Sequence, residues 1–358
     1  MRFVYNSFAG RFSDSPRAIH AALLRLGGDH EHVWLADPVH AATFPPDVAT
    51  VELGSPESIA TLEACDVLIA NTHTEVEWEK PAGTLYYQTW HGTPLKRIHW
   101  DVLWAPEGRL ERLQRDVDRW DVLVSPNAAS TPLLRQAFRF DGEVAEIGYP
   151  RNDVLLAPDA AEIRARVRRE LGIPDGERVV LYAPTWRDDV VFNGDDGKID
   201  LELDVRRLVE EAGGHVLLRL HYMLTGRLNA VEHPAIHDVS MWPDISELYL
   251  AADVLVTDYS SAMFDFAVTG KPLLFFTYDL ASYRDSLRGF YFDFAPIAPG
   301  PLLETTPELI AALNDLDGVV ERSADRYAAF RERFSHLEDG HATDRVLSRV
   351  LTTPARRP

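Results

Sequence analysis

Short apolar runs alternate with helical patterns along the whole chain, and this alternation constrains the fold more than any other feature. In the first half RFVYN, HVWLA, DVLIANT, TLYYQTW, DVLVSPN and EVAEIGYP are separated by SDSPRAIHAALLRL, SPESIATLEA and two further helical stretches. In the second half RVVLYAPTW, HVLLRLH, DVLVTDYS and PLLFFTY recur in the same manner. Strands rich in Val, Ile and Leu that alternate with helices form parallel sheets covered on both faces. The pattern occurs twice, and 358 residues exceed the size at which a single core usually stops growing. The expected fold is therefore α/β, with two similar halves.

The join falls near residues 150 to 160, where GYPRND is followed by an acidic, proline-containing turn. The helix DAAEIRARVRRELG comes next, with Asp159 and Glu162 at capping-box spacing and Gly172 beyond its end. This gives expected domains of 1–155 and 156–335. The pattern from Thr306 onward predicts helices, the last of which, in 336–358, is placed to return to the first domain.

Composition excludes several classes of function. A formal net charge of −20 opposes general affinity for nucleic acid, which depends on phosphate neutralisation by clustered Lys and Arg. An anionic ligand must then be held by local devices such as helix amino termini, hydroxyls and a few cations. Arg109, Arg112, Arg115, Arg119 and Arg135 recur at helical spacing, interleaved with Glu111, Asp116 and Asp118. They are either such a device or a solvated helix face with i, i+4 pairs. With Cys65 as the lone cysteine there is no internal disulfide and no thiolate cluster for zinc, as expected in a reducing cytoplasm. MRFVYNSFAGRFSD turns polar too early for a secretory signal, and no run approaches the roughly 18 apolar residues of a spanning helix. No metal is expected: Asp188, Asp189, Asp195 and Asp196 lie in a glycine-containing loop with no His or Glu at ligand spacing.

The chemistry concentrates at strand ends, where open α/β sheets bind ligands. In DVLVTDYSSAMFDFAVTGKP a buried strand ends at Thr257, and a helix begins near Ser261 and stops at Gly270. The amides of that first turn, with the Ser260 and Ser261 hydroxyls, suit a phosphate without metal or glycine-rich loop. Asp265, one turn further on the same face, suits ribose hydroxyls. The alternative is that the serines are ordinary N-caps. The strand HVLLRLH ends on Arg219 and His221, and YAPTWRDD ends on Thr185, Trp186 and Arg187, a phosphate contact or a tight turn. In QTWHGTPLKR, His91 ends a strand of the first half. It is either a residue held by its neighbours or one aimed at a substrate; paired with His221 across a cleft, one histidine would take a proton and the other donate to phosphate charge.

These motifs, with NSFAGRFSDSPRAI near the start and GKPLLFFTYD near the end, fall in order over nearly the whole chain. The chain resembles the CDP-glycerol glycerophosphotransferase family, which builds or primes teichoic-acid-like polyol phosphate polymers, and related capsule polymerases. The resemblance implies a glycosyltransferase-B-like fold, with two Rossmann-like domains facing a cleft, the donor on the second and the acceptor approaching from the first. It makes His91 the base and His221 the support of the donor diphosphate. Thr257, Asp258, Tyr259, Ser260 and Ser261 would hold the phosphates and Asp265 the ribose, with Arg219, Thr185 and Arg187 also on the donor side. Gly92, Thr93, Lys96 and Arg151 would lie on the acceptor side.

The implied reaction is a single displacement at phosphorus. An acceptor hydroxyl attacks the β-phosphorus of CDP-glycerol or a related CDP-polyol and CMP leaves, with no cofactor. The implied acceptor is a polyol phosphate or a lipid-linked glycan, at the inner face of the cell membrane, although no clear basic amphipathic helix is apparent and the chain carries no long additional module. Two alternatives are kept. One is a nucleotide-sugar glycosyltransferase or epimerase of the same fold; the other is a non-catalytic nucleotide-binding partner in envelope assembly.

Overall fold

The computed structural model describes residues 1–185, 201–220, 233–284 and 289–352. Of the residues singled out above, Trp186, Arg187, Asp188, Asp189, Asp195, Asp196 and His221 lie outside them.

The chain divides into two compact units. One comprises Met1–Pro94, Ile98–Leu156 and His336–Pro358; the other comprises Leu95–Arg97 and Ala157–Ser335. In the first, β1 (Arg2–Asn6), β2 (Glu31–Ala36), β3 (Thr50–Glu52), β4 (Val67–Ala70), β5 (Leu85–Gln88), β6 (Val122–Ser125) and β7 (Glu143–Glu146) form a parallel sheet of order β3-β2-β1-β4-β5-β6-β7. The apolar runs of the sequence make both faces of this sheet, because successive side chains point to opposite sides. Phe3, Tyr5, Trp34, Val67, Ile69 and Tyr87 pack on one side with Ile19 and Leu23 of the helix Asp14–Leu26. Val4, Leu35, Leu68, Tyr86 and Leu123 pack on the other with Leu62, Val117, Leu134 and Phe138.

The helix Ala342–Thr352 belongs to the first face, where Val346, Leu347 and Val350 join the same core. Its amino terminus is held by Asp153, whose two carboxylate oxygens accept the amides of Ala342 and Thr343 at 3.0 and 2.7 Å. Tyr149 N–H donates to Glu338 at 3.1 Å. Gly148 makes the approach possible: its φ is +80°, and a Cβ there would meet the Leu337 carbonyl oxygen at 2.9 Å.

In the second unit, β8 (Val179–Tyr182), β9 (His215–Leu218), β10 (Ile236–Asp238), β11 (Val254–Thr257), β12 (Leu273–Phe276) and β13 (Leu302–Leu303) give the order β10-β9-β8-β11-β12-β13. Within each unit the strand order reverses at one place: between β1 and β4 in the first, and between β8 and β11 in the second. The ligand crevice of an open parallel sheet lies outside the carboxyl ends of the strands at such a switch point. Lys96 makes an antiparallel bridge with Phe290, and the flanking amides of Arg97 and Tyr291 bond the carbonyls of Gly289 and Leu95 at 3.1 and 2.9 Å. Residues 95–97 are thus built into the second unit, although His91 stands just before them in the chain.

Two local expectations fail. Asp159 is the N-cap of the helix Ala160–Glu170 but its side chain makes no capping bond. The capping box forms instead at Thr305 and Glu308, ahead of the helix Thr306–Asn314. The arginines of the helix Arg109–Val117 also pair differently from an i, i+4 ladder: Arg109 bonds Glu75 at 3.1 Å and Arg115 bonds Glu77 at 2.7 Å.

Candidate active site

At the switch point of the second unit, one carboxylate joins the two strand ends. Asp258, 2% exposed, accepts the amide of Thr185 at 2.8 Å and that of Tyr259 at 2.6 Å through a single oxygen. Thr257 donates its hydroxyl to the Ala183 carbonyl at 2.7 Å. The ends of β8 and β11 are therefore fastened by Asp258 and Thr257. Tyr259 turns into the core, where its ring stacks on Tyr283 at 4.6 Å and its hydroxyl bonds Asp279 at 3.1 Å.

From Val254 through Tyr259 the chain is buried; Ser260 and Ser261 are half-buried, and it is buried again from Ala262 to Val268. The helix Ala262–Phe266 runs into a tighter turn, Ala267–Thr269, closed by Gly270 at φ 71°. Ser260 Oγ accepts the Ala262 amide at 3.3 Å, whereas Ser261, at the N-cap position, makes no side-chain capping bond. Asp265 is 6% exposed. Two cations of the motifs have structural partners. Lys271 donates to the carbonyls of Tyr249, Leu250 and Ala252 at 2.9, 2.9 and 2.6 Å, at the end of the helix Ile245–Ala251. Burial brings the Lys271 ammonium down to about 8. Arg219 Nη1 donates to the carbonyls of Val239, Ser240 and Trp242 at 2.7, 2.8 and 2.6 Å, bracing the end of β9.

The first unit places His91 just beyond β5, beside the ends of β4 and β1. Trp90 precedes it with φ 53°, a region that a bulky side chain rarely adopts, held by Trp90 N–H on the Gln88 side chain at 2.9 Å and by ring contacts with Phe138 at 4.6 Å. This backbone turn carries half-buried His91 to the Asn71 carbonyl, with Nδ1 to oxygen at 2.5 Å. A carbonyl only accepts, so Nδ1 bears the proton and the lone pair of the neutral ring lies on Nε2. Gly92 and Thr93 are buried behind it. Arg151 is 5% exposed and pairs with Asp14 at 3.1 Å, joining its turn to the start of the helix Asp14–Leu26.

Several polar residues of this unit, most of them outside the sequence motifs, are buried together. Asn6, Thr74, Tyr86 and Asp116 form a buried chain: Asn6 donates to Thr74 at 3.4 Å, and Thr74 N–H, Tyr86 OH and Trp120 Nε1 all reach one oxygen of Asp116 at 3.0 to 3.1 Å. Burial raises the Asp116 carboxyl to about 6. His73 stacks on His99 at 5.3 Å; burial first, then neighbouring positive charge, lowers His73 to about 3, and burial lowers His99 to about 4. The polar strand end DVLIANTH was the one signal pointing to Asn71. Among the described residues, no three His, Cys, Asp or Glu side chains gather as a metal site would require.

Two parallel-sheet units of this topology define a glycosyltransferase-B-like protein. The chain belongs to the CDP-glycerol:poly(glycerophosphate) glycerophosphotransferase family, whose model matches residues 1–352. It is 36% identical, over 97% of its length, to the teichoic acid poly(glycerol phosphate) polymerase of Bacillus subtilis, and spans 48% of that relative. It is 35% identical to the teichoic acid glycerol-phosphate transferase of Staphylococcus aureus, over 97% of this chain and 92% of that one. It superposes on the wall teichoic acid polymerase TagF, in a form soaked with CDPG, with a TM-score of 0.90 and 34% identity, covering 98% of this chain and 88% of the other.

Proposed function

We propose that this chain transfers a glycerol-phosphate unit from CDP-glycerol to an acceptor hydroxyl, releasing CMP. The carrying observation is the 2.5 Å contact of His91 Nδ1 with the Asn71 carbonyl oxygen: a carbonyl only accepts, so the Nδ1 proton is committed there and Nε2 is the basic atom of the neutral ring. The acceptor oxygen forms a bond to the β-phosphorus as the bond from that phosphorus to the bridging oxygen breaks. CMP leaves, and the hydroxyl proton passes to His91 Nε2. No covalent enzyme intermediate is needed.

In this reading the second unit binds the donor. Its support is the turn at the β8–β11 switch point, fixed by Asp258, where half-buried Ser260 and Ser261 interrupt two buried stretches. The phosphates rest on the amides and hydroxyls of those serines, and the ribose is held by Asp265. Arg219, Thr257 and Tyr259 shape the site rather than touch the donor. His221, placed by its motif alone, supports the diphosphate. The first unit receives the acceptor, a polyol phosphate or a lipid-linked glycan. Its peripheral contact with a membrane is supported by Leu103 and Trp104, 51% and 78% exposed, in the loop that leads to the arginine-bearing helix Arg109–Val117. Among the described residues no helix is long and apolar enough to cross a membrane.

The test is CMP release from CDP-glycerol with a glycerol-phosphate-terminated acceptor, in EDTA, for the parent and His91→Asn. Expected are turnover by the parent, loss of about a hundredfold or more in the variant, and equal thermal stabilisation of both by CDP-glycerol. Stabilisation by UDP-sugars alone would overturn the assignment in favour of a sugar-nucleotide enzyme, and binding of CDP-glycerol without turnover would make the chain a non-catalytic partner.

A further inference from the structure

We infer that Asn71 is a positioning residue for His91, fixing its ring from two directions. The inference deepens the proposed role of His91 and rests on that reading. The main chain of Asn71 supplies the carbonyl that accepts the hydrogen bond from His91 Nδ1–H at 2.5 Å. Its side-chain oxygen accepts the amide of Phe8 at 2.9 Å. Phe8 in turn lays its ring against His91, with centroids 5.2 Å apart. One residue at the end of β4 thus holds the histidine through its backbone and holds the ring that packs on it through its side chain.

Two further features point to the side-chain oxygen as the reason for this residue. Phe8 and Ala9 follow β1 with φ of 44° and 55°, a left-handed turn that non-glycine residues adopt uncommonly, held within by the amides of Gly10 and Arg11 on the Ser7 carbonyl and from outside by Asn71. Asn71 is fully buried, and its Nδ2 has no hydrogen-bond partner among the described residues. An apolar side chain would avoid that orphaned donor but could not accept the Phe8 amide. The geometry therefore favours an acceptor at this position in spite of the nitrogen that comes with it. Without the acceptor the Phe8 turn relaxes, the ring leaves His91, and the imidazole is free to rotate away from the Asn71 carbonyl.

The experiment compares the parent, Asn71→Ala and Asn71→Asp, the last keeping an oxygen of the same reach. The tautomer of neutral His91 is read by nitrogen NMR of the labelled protein, and steady-state CMP release from CDP-glycerol gives kcat and the donor KM. In Asn71→Ala we expect a mixture of His91 tautomers, with kcat down by about tenfold to a hundredfold and the donor KM within about twofold. In Asn71→Asp we expect the Nδ1-protonated form and most of kcat to return. An unchanged tautomer in Asn71→Ala, or no recovery in Asn71→Asp, would overturn the inference. If Asn71→Ala does not fold, Phe8→Ala replaces it: a tautomer mixture supports the inference and an unchanged ring overturns it. The NMR readout needs no turnover, so an active His91→Asn enzyme would defeat the base assignment while leaving the positioning result to stand or fall separately.

Discussion

Asp258 and Thr185 lie 73 residues apart in sequence, yet the Asp258 carboxylate accepts the Thr185 amide at 2.8 Å and closes the gap between the ends of β8 and β11. The same oxygen accepts the Tyr259 amide at 2.6 Å. Asp258→Ala leaves two amides without their acceptor at a buried turn. Each orphaned donor costs about 1–3 kcal/mol, so we expect a loss of roughly 2–6 kcal/mol in urea unfolding, together with weaker CDP-glycerol binding. Asp258→Asn retains an acceptor oxygen and should lose less than half as much.

The strands were legible in the sequence because a strand buried on both faces must be an almost unbroken apolar run, and their polar ends marked where a ligand could lie. What each polar end contacts was not legible. Arg151 meets Asp14 across 137 residues of sequence, Thr257 meets Ala183 across 74, and Arg219 takes its carbonyls from a loop 20 to 23 residues on. No local pattern separates an arginine that binds phosphate from one that braces a loop. The failure at Asp159 has the same origin. The spacing of a capping box was present, but that side chain makes no capping bond, whereas Thr305, with extended φ and ψ of −128° and 153°, does cap its helix.

Asp116 titrates in the opposite sense to an ordinary paired carboxylate. Its folded pKa of about 6 lies above the usual 3.8, so the folded state favours the protonated form. The stability this contributes is complete below the unfolded value and is lost as pH rises through about 6. At 1.36 kcal/mol per unit this is about 3 kcal/mol. Asp116→Asn removes the charge and keeps an acceptor for Tyr86, Thr74 and Trp120. Its stability relative to the parent should climb between about pH 4 and 6 and level off above, as read by chemical denaturation at a series of pH values.

The buried histidines work the other way. His20, His73 and His99 have folded pKa values of about 4, about 3 and about 4, lowered first by burial. Their contribution is intact above the unfolded value of 6.5 and is lost as pH falls through the folded values. Three such groups outweigh one Asp116, so the first unit should become less stable as pH falls from about 6.5 toward 4. Replacing His73 by Gln should flatten that decline, a change visible in the melting temperature at pH 5 against pH 8.

Asp153 caps a helix that begins 189 residues later, accepting the amides of both Ala342 and Thr343. Losing a carboxylate N-cap costs about 1–2 kcal/mol. The helix Ala342–Thr352 also supplies Val346, Leu347 and Val350 to the core. Asp153→Ala should therefore speed hydrogen exchange in 342–352 before any other part of the first unit, with Asp153→Asn intermediate. Equal protection of that helix in all three proteins would mean that apolar packing alone holds it.

The proposed phosphate turn at Ser260 and Ser261 allows donor binding to be tested apart from chemistry. They are the two half-buried positions between the buried stretches Val254–Tyr259 and Ala262–Val268, and in the proposed reading the donor phosphates meet their hydroxyls and amides. A hydrogen bond to a charged group is worth about 1.5–3 kcal/mol, and two of them amount to a hundredfold or more in affinity. Titration calorimetry with CDP-glycerol should show that loss in the double alanine variant, while His91→Asn binds as the parent does. The single variants should differ in stability: Ser260→Ala also gives up the bond to the Ala262 amide, about 1 kcal/mol, and Ser261→Ala does not. Undiminished binding by the double variant would remove the phosphates from this turn and require the donor to be held elsewhere on the second sheet.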